Sequence, residues 1–499
     1  MRMRERRAAL IAALFTVIVV AAAAPARAGE RGKPSKTLRA GAFSIDITPT
    51  KFPVPISGGI LPRYVSKVTD PLHARCLVLD DGQGQVAIAI VDSLLFSRQQ
   101  ADKAKQLASQ STGIPTDRML IAATHTHSAP AVVGAHATDP DSDYAEFMIG
   151  QIAKGIARSQ QNLRPARIGW AMGKDEKNVF CRRYLMKPGT AATNPFSGKK
   201  NDRVQMNPGH NNPNKIKRTG AADTDVAVLS VQGLDGQPIA LLSNYSTHYV
   251  GSPPVSADYF GVFCNKIAEK IGAMDVTPPF VGMLSNGTSG DANCLDFEAP
   301  RRRKFDRFTV AEDVAQAAFQ AYLTIQYYDW VPVVMEERLL TLEVRKPTGE
   351  EVAKAKEVVS KLEDGRPRNI VESYARETVF LSQVPPTREI KLQAIRIGQL
   401  GIAALPNEAF GSTGLEIKAR SPLKPTFNID LANGYAGYLA PPDQHELGGY
   451  TTWRARSSLL EVDAEPKVVA TILEVLGRVA KARADEALRS STGQGQPKK

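Results

Sequence analysis

Two histidines, His125 and His127, are the residues with the clearest chemical meaning. They lie in a T-H-T-H-S segment that directly follows the apolar run at residues 119–123. Side chains at positions i and i+2 of extended backbone point to the same side, so both imidazoles could reach one divalent metal ion. The chain has only 7 histidines, and two stand here. A metal centre is the first hypothesis, and a pair of solvated loop histidines is the alternative that so short a motif leaves open.

Three further apolar runs also end on polar residues. His248 follows the run at 239–243, the segment N-G-T-S-G-D at 286–291 follows a third run, and Glu408 follows a fourth. In α/β proteins, ligands and catalytic groups gather beyond the carboxyl ends of strands. We therefore expect these residues to meet the histidine pair in one pocket. Imidazole and carboxylate ligands with one open position are the composition of a catalytic zinc site.

The elements that must position these residues alternate between strand and helix patterns, which predicts an α/β fold of mixed β-sheets flanked by helices, with the metal site at strand ends. The turn Asp80-Asp81-Gly82 predicts a hairpin. Strands are predicted at residues 76–79, 86–91, 119–123, 226–231, 239–243, 280–284, 334–344, 393–397 and 401–405. Helices are predicted at residues 97–111, 144–163, 308–325, 350–362 and 464–488.

Residues 174–222 break this alternation. The segment is rich in Gly, Pro, Asn and basic residues and is far longer than an ordinary connection. A loop of that length is either disordered or part of a site. Within it, Cys181-Arg182-Arg183-Tyr184 is the stretch that we expect to make specific contacts.

The amino terminus has the pattern of an export signal. Arginines crowd the first seven residues, an apolar run covers residues 8–24, and Ala26-Arg27-Ala28 forms a small-x-small cleavage site. We predict a signal peptide at 1–28 and a secreted or periplasmic protein. A membrane anchor is the weaker alternative, because the run is shorter than the roughly 20 residues that span hydrocarbon.

The expected domain organisation follows from these patterns. Residues 29–38 are predicted to be a disordered linker, residues 39–475 the catalytic domain, and residues 476–499 the end of a closing helix and a disordered tail. A hydrophobic content of 43% is sufficient for a large core.

The formal net charge is +12, and the one dense basic cluster is Arg301-Arg302-Arg303-Lys304. It fits either a solvated helix start or contact with an anionic surface. No motif of a nucleic-acid-binding module is present.

The four cysteines, Cys76, Cys181, Cys264 and Cys294, are widely separated and lack C-x-x-C spacing. In an oxidising compartment they could form up to two disulfides. Buried free thiols are equally consistent with the sequence, which leaves the pairing open.

Several remaining titratable residues are given no role at the site. Asp92 is interpreted as a capping aspartate, with a hydrogen bond to a metal-binding imidazole as the alternative. Four histidines are interpreted as surface or structural residues: His73, His136, His210 and His445.

Taken in order, the motifs resemble the amidase domain of the neutral, non-lysosomal ceramidase family, over about residues 39–475. T-H-T-H-S matches the family's T-H-T-H-S/G, and His248 stands alone after a strand. Pro406-Asn407-Glu408 takes the place of a P-G-E motif. Asn433-Gly434-Tyr435-Ala436-Gly437-Tyr438 is followed by Tyr450.

The resemblance implies a role for each matching residue. It implies Zn2+ held by His125, His248, Glu408 and Tyr438. It further implies that His127 and Tyr450 act at the substrate carbonyl and that Arg182 orients the substrate. Zinc in such a site lowers the pKa of its water and polarises a carbonyl oxygen, which suits hydrolysis of an amide.

Three departures from the family pattern concern the substrate more than the metal. The family's G-D-V-S-P-N segment, whose serine lies at the active site, reads Gly290-Asp291-Ala292-Asn293 here, and Ser289 or Thr288 are the spatial candidates for a replacement. Thr451 stands where an acidic residue usually follows the tyrosine that matches Tyr450. We also expect no C-terminal immunoglobulin-like domain.

The expected function is therefore an exported zinc amidohydrolase that cleaves an N-acyl amide, with ceramide-like lipids implied by resemblance and a place in sphingolipid or other lipid metabolism. Peripheral membrane contact is compatible with such a substrate, and no nucleic-acid partner is expected.

One alternative is a relative that binds a lipid or glycan without turnover. A metallophosphoesterase ranks lower, because the G-N-H-[DE] signature is absent. The acyl length, the head group and the oligomeric state stay open.

Overall fold

A computed structural model describes residues 36–483 and 489–490. Its strands are β1 (Arg39–Asp46), β2 (Val54–Ile56), β3 (Arg63–Val65), β4 (His73–Asp80), β5 (Gln85–Val91), β6 (Met119–Ala123), β7 (Arg164–Lys174), β8 (Phe180–Cys181), β9 (Arg183–Met186), β10 (Val204–Met206), β11 (Lys215–Arg218), β12 (Asp225–Gly233), β13 (Pro238–Tyr245), β14 (Val281–Asn286), β15 (Ala292–Asn293), β16 (Gln326–Trp330), β17 (Val333–Glu343), β18 (Thr387–Ile397), β19 (Leu400–Ala404), β20 (Glu408–Ala409), β21 (Thr426–Ile429), β22 (Tyr438–Leu439) and β23 (Arg489–Ser490). Its α-helices are α1 (Arg98–Thr112), α2 (Ser142–Gln161), α3 (Asp258–Lys270), α4 (Arg307–Tyr322), α5 (Gly349–Ser360), α6 (Ile370–Gln383), α7 (Gly411–Arg420), α8 (Pro442–Leu447) and α9 (Ala464–Lys481).

The largest sheet is mixed. Its strand order is β14-β13-β12-β7-β1-β4-β5-β6, and β16 pairs with both β7 and β23. The pairs β5–β6 and β13–β14 are parallel, whereas β4–β5 and β12–β13 are antiparallel hairpins. β6 and β13, whose ends lead to His125 and His248, therefore belong to one sheet.

A second, four-stranded sheet has the order β17-β18-β19-β21. It packs face to face on the large sheet, because one apolar cluster contains residues of both, for example Ile88 and Ile90 with Ile395 and Ile402. Side chains alternate between the faces of a strand. Ala87, Ala89 and Val91 of β5 therefore point away from this interface, into a cluster shared with α1 and α2.

Helices cover the outer faces of both sheets. α1 and α2 pack on β4 and β5, α3 and α4 pack on the strands around β13, and α9 covers the second sheet. The layers are therefore helix, sheet, sheet, helix, which confirms the predicted mixed α/β class.

Local signals explain where several of these elements begin and end. Ser97 and Gln100 form a reciprocal capping box at the start of α1, and Gly113 ends that helix with φ of 73°. The hairpin predicted at Asp80-Asp81-Gly82 joins β4 to β5. Among the described residues, no helix is long and apolar enough to cross a membrane.

Two predictions differ from the structure or lie beyond it. Residues 174–222, which the sequence pattern indicates as one long loop, contain the four short strands β8 to β11. The closing helix predicted at 464–488 ends at Lys481, and residues 484–488 lie outside the described part of the chain. The predicted signal peptide, most of the linker and the final tail also lie outside it.

Candidate metal centre and cleft

Three imidazoles meet at the ends of two strands of the large sheet. His125 and His127 follow β6, and His248 follows β13. The Nε2 atom of His125 lies 3.1 Å from Nε2 of His248 and 3.4 Å from Nε2 of His127. His125 and His248 are buried and His127 is half-buried. One ligand atom from each histidine lies within 4.8 Å of the other two, a spacing that could hold a metal ion.

The backbone that brings the histidine pair together is not extended, so the strand-geometry argument for the pair is wrong. β6 ends at Ala123, and His125 has a φ of 73°, in the left-handed region. A non-glycine residue there costs on the order of 1 kcal/mol or more. The backbone N–H of His125 donates to the carbonyl of Ser93 (2.9 Å), which holds this turn in place.

Hydrogen bonds to the backbone fix the imidazole tautomers. Nδ1 of His125 lies 2.9 Å from the carbonyl oxygen of Leu94, and Nδ1 of His248 lies 3.1 Å from that of Ser289. A neutral imidazole carries one proton, so with Nδ1 as the donor both Nε2 atoms present a lone pair, and that of His248 also lies 3.4 Å from Nη2 of Arg182. This is the arrangement by which backbone carbonyls orient metal-ligating histidines.

Glu408 supplies a carboxylate at the same point. Its Oε2 lies 3.3 Å from Nε2 of His125 and 3.9 Å from Nε2 of His248, and it has no hydrogen-bond partner although the side chain is 4% exposed. Its Oε1 accepts a hydrogen bond from the hydroxyl of Tyr435 (2.8 Å). An orphaned carboxylate oxygen beside three imidazole nitrogens fits the N and O donors that zinc prefers.

Charge effects at the site favour an anionic Glu408 and neutral imidazoles at His127 and His248. Burial raises the pKa of Glu408, but His125, Tyr435 and Arg182 outweigh it and hold the pKa below its usual value. Burial, together with the neighbouring imidazoles and Arg182, lowers the pKa of both His127 and His248 well below its usual value.

Tyr438 and Tyr450 lie beside this cluster. Tyr438 is the direct register partner of Glu408 in the short parallel pair β20–β22. The rings of the two tyrosines are in edge-to-face contact, with centroids 5.7 Å apart. Burial, followed by the charge of Glu408, raises the pKa of both tyrosines. A bound dication would act in the opposite direction.

Arg182 reaches the site from the segment 174–222, between β8 and β9. Its Nη2 donates to the carbonyl of Gly290 (3.0 Å) and lies 3.3 Å from Nδ1 of His248. Its Nε has no hydrogen-bond partner, and the residue is 5% exposed. The expectation that this stretch makes specific contacts is confirmed.

A cleft of about 330 Å³ opens above the cluster. Tyr249 stacks on His127 with ring centroids 3.7 Å apart and an angle of 25° between the ring planes. The structure thus brings all seven predicted site residues into one region. Five of them line the cleft, namely His127, Arg182, His248, Tyr438 and Tyr450, and His125 and Glu408 lie beneath these five. The division of these residues into metal ligands and substrate-contacting groups stays a prediction. The apolar part of the wall comprises Ile60, Ala192, Val204, Met206, Ile370 and Trp453.

Two tyrosines at the site had no role in the sequence predictions. Tyr435, which bonds Glu408, stands inside the N-G-Y-A-G-Y motif, so the motif could have indicated it. Tyr249 follows His248 directly, but nothing in its neighbourhood predicts stacking on His127, which is distant in sequence.

Neither Ser289 nor Thr288, the two candidates to replace the family's active-site serine, points into the metal cluster. The hydroxyl of Ser289 lies 3.4 Å from Nδ1 of His248, on the side of the ring away from the cluster, and accepts from Asn286. Thr288 is buried against Gly414. Asn293 occupies the position itself and donates to Oδ1 of Asn207 (2.9 Å).

The residues predicted to be structural lie in other contacts. Asp92 accepts from Arg75 (2.7 Å) and from the backbone of His73, and not from an imidazole of the cluster. His136 is buried with Nε2 3.2 Å from the hydroxyl of Ser457. All four cysteines are buried free thiols.

The same fold is found in solved ceramidase structures. No family model and no curated protein sequence matches the chain. The neutral ceramidase from Pseudomonas aeruginosa matches with a TM-score of 0.66 at 16% identity, over 93% of this chain and 77% of that chain. A ceramidase complexed with C2 matches with a TM-score of 0.64 at 15% identity, over 93% of this chain and 78% of that chain. At these identities the likeness shows the fold alone.

Proposed function

We propose that the protein is a zinc-dependent hydrolase that cleaves an N-acyl amide bond, with a ceramide-like lipid as the substrate class that the fold suggests. The observation that carries the proposal is the orphaned, buried Oε2 of Glu408 beside the Nε2 atoms of His125 and His248, at the base of a cleft. A buried carboxylate oxygen without a hydrogen-bond partner is costly unless it binds something.

In this proposal His125, His248, Glu408 and Tyr438 hold the zinc ion. Zinc bound there would supply a Lewis acid and an activated water for attack on an amide carbonyl. His127 is an alternative to Tyr438 as the fourth ligand, because its Nε2 lies 3.4 Å from that of His125.

Other residues of the chain act on the substrate. Tyr450 lines the cleft and could donate its hydroxyl proton in a hydrogen bond to the oxygen on which negative charge develops, which is the largest single contribution in many acyl transfers. Tyr249 fixes the ring plane of His127 by stacking, so that its Nε2 faces the cluster. Arg182, whose Nη2 lies 3.3 Å from Nδ1 and 3.4 Å from Nε2 of His248, orients the substrate from the wall of the cleft.

The apolar wall of the cleft, with Ile60, Ile370 and Trp453, suits an acyl chain. An N-acyl lipid substrate is consistent with export and with peripheral membrane contact, and we keep both as parts of the proposal. A nucleic-acid partner is not part of it.

The second candidate is a protein of this fold that binds a lipid or glycan without turnover. Asn293, in place of the family's serine, is the observation that favours it. A metallophosphoesterase ranks below both.

Hydrolysis by matched histidine variants tests the proposal. We expect the full chain to hydrolyse members of a panel of N-acyl amides that includes short-chain ceramide. We expect His125→Ala to lose at least about 100-fold in kcat/KM, because the metal site loses a ligand. His445→Ala, on α8 outside the cleft, is the control and should retain activity. Bound zinc with no hydrolysis of any amide would favour the binding protein, and full activity of His125→Ala would refute the proposed site.

A further inference from the structure

A second cavity adjoins the cleft and has a different character. It has a volume of about 660 Å³. It shares three of its wall residues with the cleft: Arg182, Asn207 and Tyr249. The two cavities are therefore neighbouring branches of one depression, and Arg182 stands where they meet.

This second branch, the basic branch, is lined by cations. Its wall contains Arg182, Arg302, Arg303 and Lys304, and none of the residues lining it is an aspartate or a glutamate. Three of these cations belong to the basic cluster of the sequence. The cluster precedes α4, which begins at Arg307, so its charges do not cap the helix.

The positive charges that Arg302, Arg303 and Lys304 bring to the basic branch are weakly compensated. Arg303 donates to the carbonyl of Lys177 (2.8 Å) and lies 3.9 Å from a carboxylate oxygen of Asp313. Among the described residues, no ion pair involves Arg302 or Lys304. Cations concentrated along one wall of a cleft raise the local concentration of an anionic ligand.

Arg182 provides an independent indication. Its guanidinium is buried at the junction of the branches, and its Nε–H has no acceptor. An unsatisfied buried donor costs about 1–3 kcal/mol. An anionic or polar ligand group at the junction would satisfy this donor.

Because the cleft has an apolar wall and the adjoining branch is lined by cations, we infer that the substrate is an anionic N-acyl amide. Its acyl chain lies in the cleft beside Ile370 and Trp453, and a carboxylate, sulfonate or phosphate on the amine side of the scissile bond lies in the basic branch. This inference rests on the proposed amidase function and narrows its substrate class.

Matched substrates and variants test the inference. The charged substrates are N-dodecanoylglycine and N-dodecanoyl-6-aminohexanoate, and the neutral ones are N-dodecanoylethanolamine and N-dodecanoyl-6-aminohexanol. We expect at least one charged member to be hydrolysed with a kcat/KM about tenfold above its neutral counterpart. We expect Arg302→Gln combined with Lys304→Gln to remove this preference while changing the neutral rates by less than about twofold, because both residues are exposed and contribute only charge contacts. Arg301 lines neither branch. Arg301→Gln is therefore the control and should change neither the preference for charged substrates nor the neutral rates.

Equal rates for charged and neutral substrates, or equal losses for both in the double variant, would overturn the inference. If the anion is instead a membrane surface, the double variant will slow hydrolysis of the neutral amides in phosphatidylglycerol vesicles and leave the soluble charged amides unaffected, which also overturns it.

Failure of the proposed function gives a different result. If no amide is hydrolysed, calorimetric binding of N-dodecanoylglycine and N-dodecanoylethanolamine decides the inference separately. Tighter binding of the anion that depends on Arg302 and Lys304 supports a ligand with this charge, whereas equal binding or no binding refutes it.

Discussion

At the scale of single residues, the site depends on groups that fix the imidazoles and Glu408 from behind. Backbone carbonyls hold Nδ1 of His125 and His248, and Tyr435 holds one oxygen of Glu408. The sequence indicated both imidazoles and the carboxylate, because each follows an apolar strand. It did not indicate the left-handed turn at His125, since that conformation is imposed by contacts with the segment after β5.

Tyr435→Phe tests the support of Glu408. Loss of the hydroxyl removes a hydrogen bond to the proposed ligand, and changes of this kind typically weaken metal affinity about 10–100-fold. We expect a zinc Kd higher by that factor, measured by competition with a chelator. An unchanged Kd in a variant with an unchanged Tm would show that Tyr435 does not support a metal ligand.

Gly58→Ala tests how closely the backbone approaches His127. Gly58 has a φ of 108°, and a Cβ atom there would lie 2.4 Å from Nδ1 of His127. We expect a loss of about 1–3 kcal/mol in the free energy of unfolding, measured by urea denaturation, and lower activity because His127 is displaced. Gly84→Ala is the control, because a Cβ there meets nothing within 4 Å. Equal stability of the two variants would contradict the expected clash.

At the scale of elements, periodicity predicted many of the long strands and helices but missed β7, α3 and α6. The apolar runs of β5, β6 and β13 are buried on both faces, and the capping box at Ser97 marks the start of α1. α7 was not predicted, because it contains two glycines of low helix propensity. One of them, Gly414, allows the helix to approach Thr288, which no local pattern could show.

Local sequence patterns also could not predict the strand pairing that places two proposed metal ligands opposite each other. β20 and β22 contain two residues each, yet they place Glu408 opposite Tyr438. Strands of that length have no periodicity to detect. Only the resemblance to a known family indicated both residues.

Lys105 on α1 predicts a pH-dependent stability. Burial, followed by the charge of Lys391, lowers its pKa from 10.5 to about 7, and its Nζ has no hydrogen-bond partner. Below pH 7 the lysine is charged in both states and its burial costs the folded protein most. Between about pH 7 and 10.5 only the unfolded chain binds this proton, so the cost diminishes as pH rises.

The measurement compares the free energy of unfolding of Lys105→Met with that of the unmodified protein across this range. We expect Lys105→Met to be more stable at pH 6, by on the order of a few kcal/mol, and the difference to shrink toward pH 10. Lys103→Met, which changes a half-exposed lysine on the same helix, should show a small difference with little pH dependence. A constant difference for Lys105→Met would exclude the lowered pKa.

At the scale of the whole molecule, two stacked sheets bring distant strand ends to one cleft. His125 and His248 come from the large sheet, whereas Glu408 follows β19 of the second sheet. The site therefore requires the apolar contact between the sheets, and any ligand that binds all three side chains connects both layers. A bound metal should for this reason stabilise the folded protein as well as activate it.

Zinc reconstitution tests the central claim most directly. The full chain is stripped with a chelator, dialysed and titrated with zinc, while bound metal and hydrolysis of the N-acyl amide panel are measured on the same samples. We predict that activity rises in proportion to zinc and reaches its plateau at one ion per chain, with a concurrent rise in Tm. Hydrolysis by the stripped protein at the full rate, or failure to bind zinc at this stoichiometry, would contradict the account.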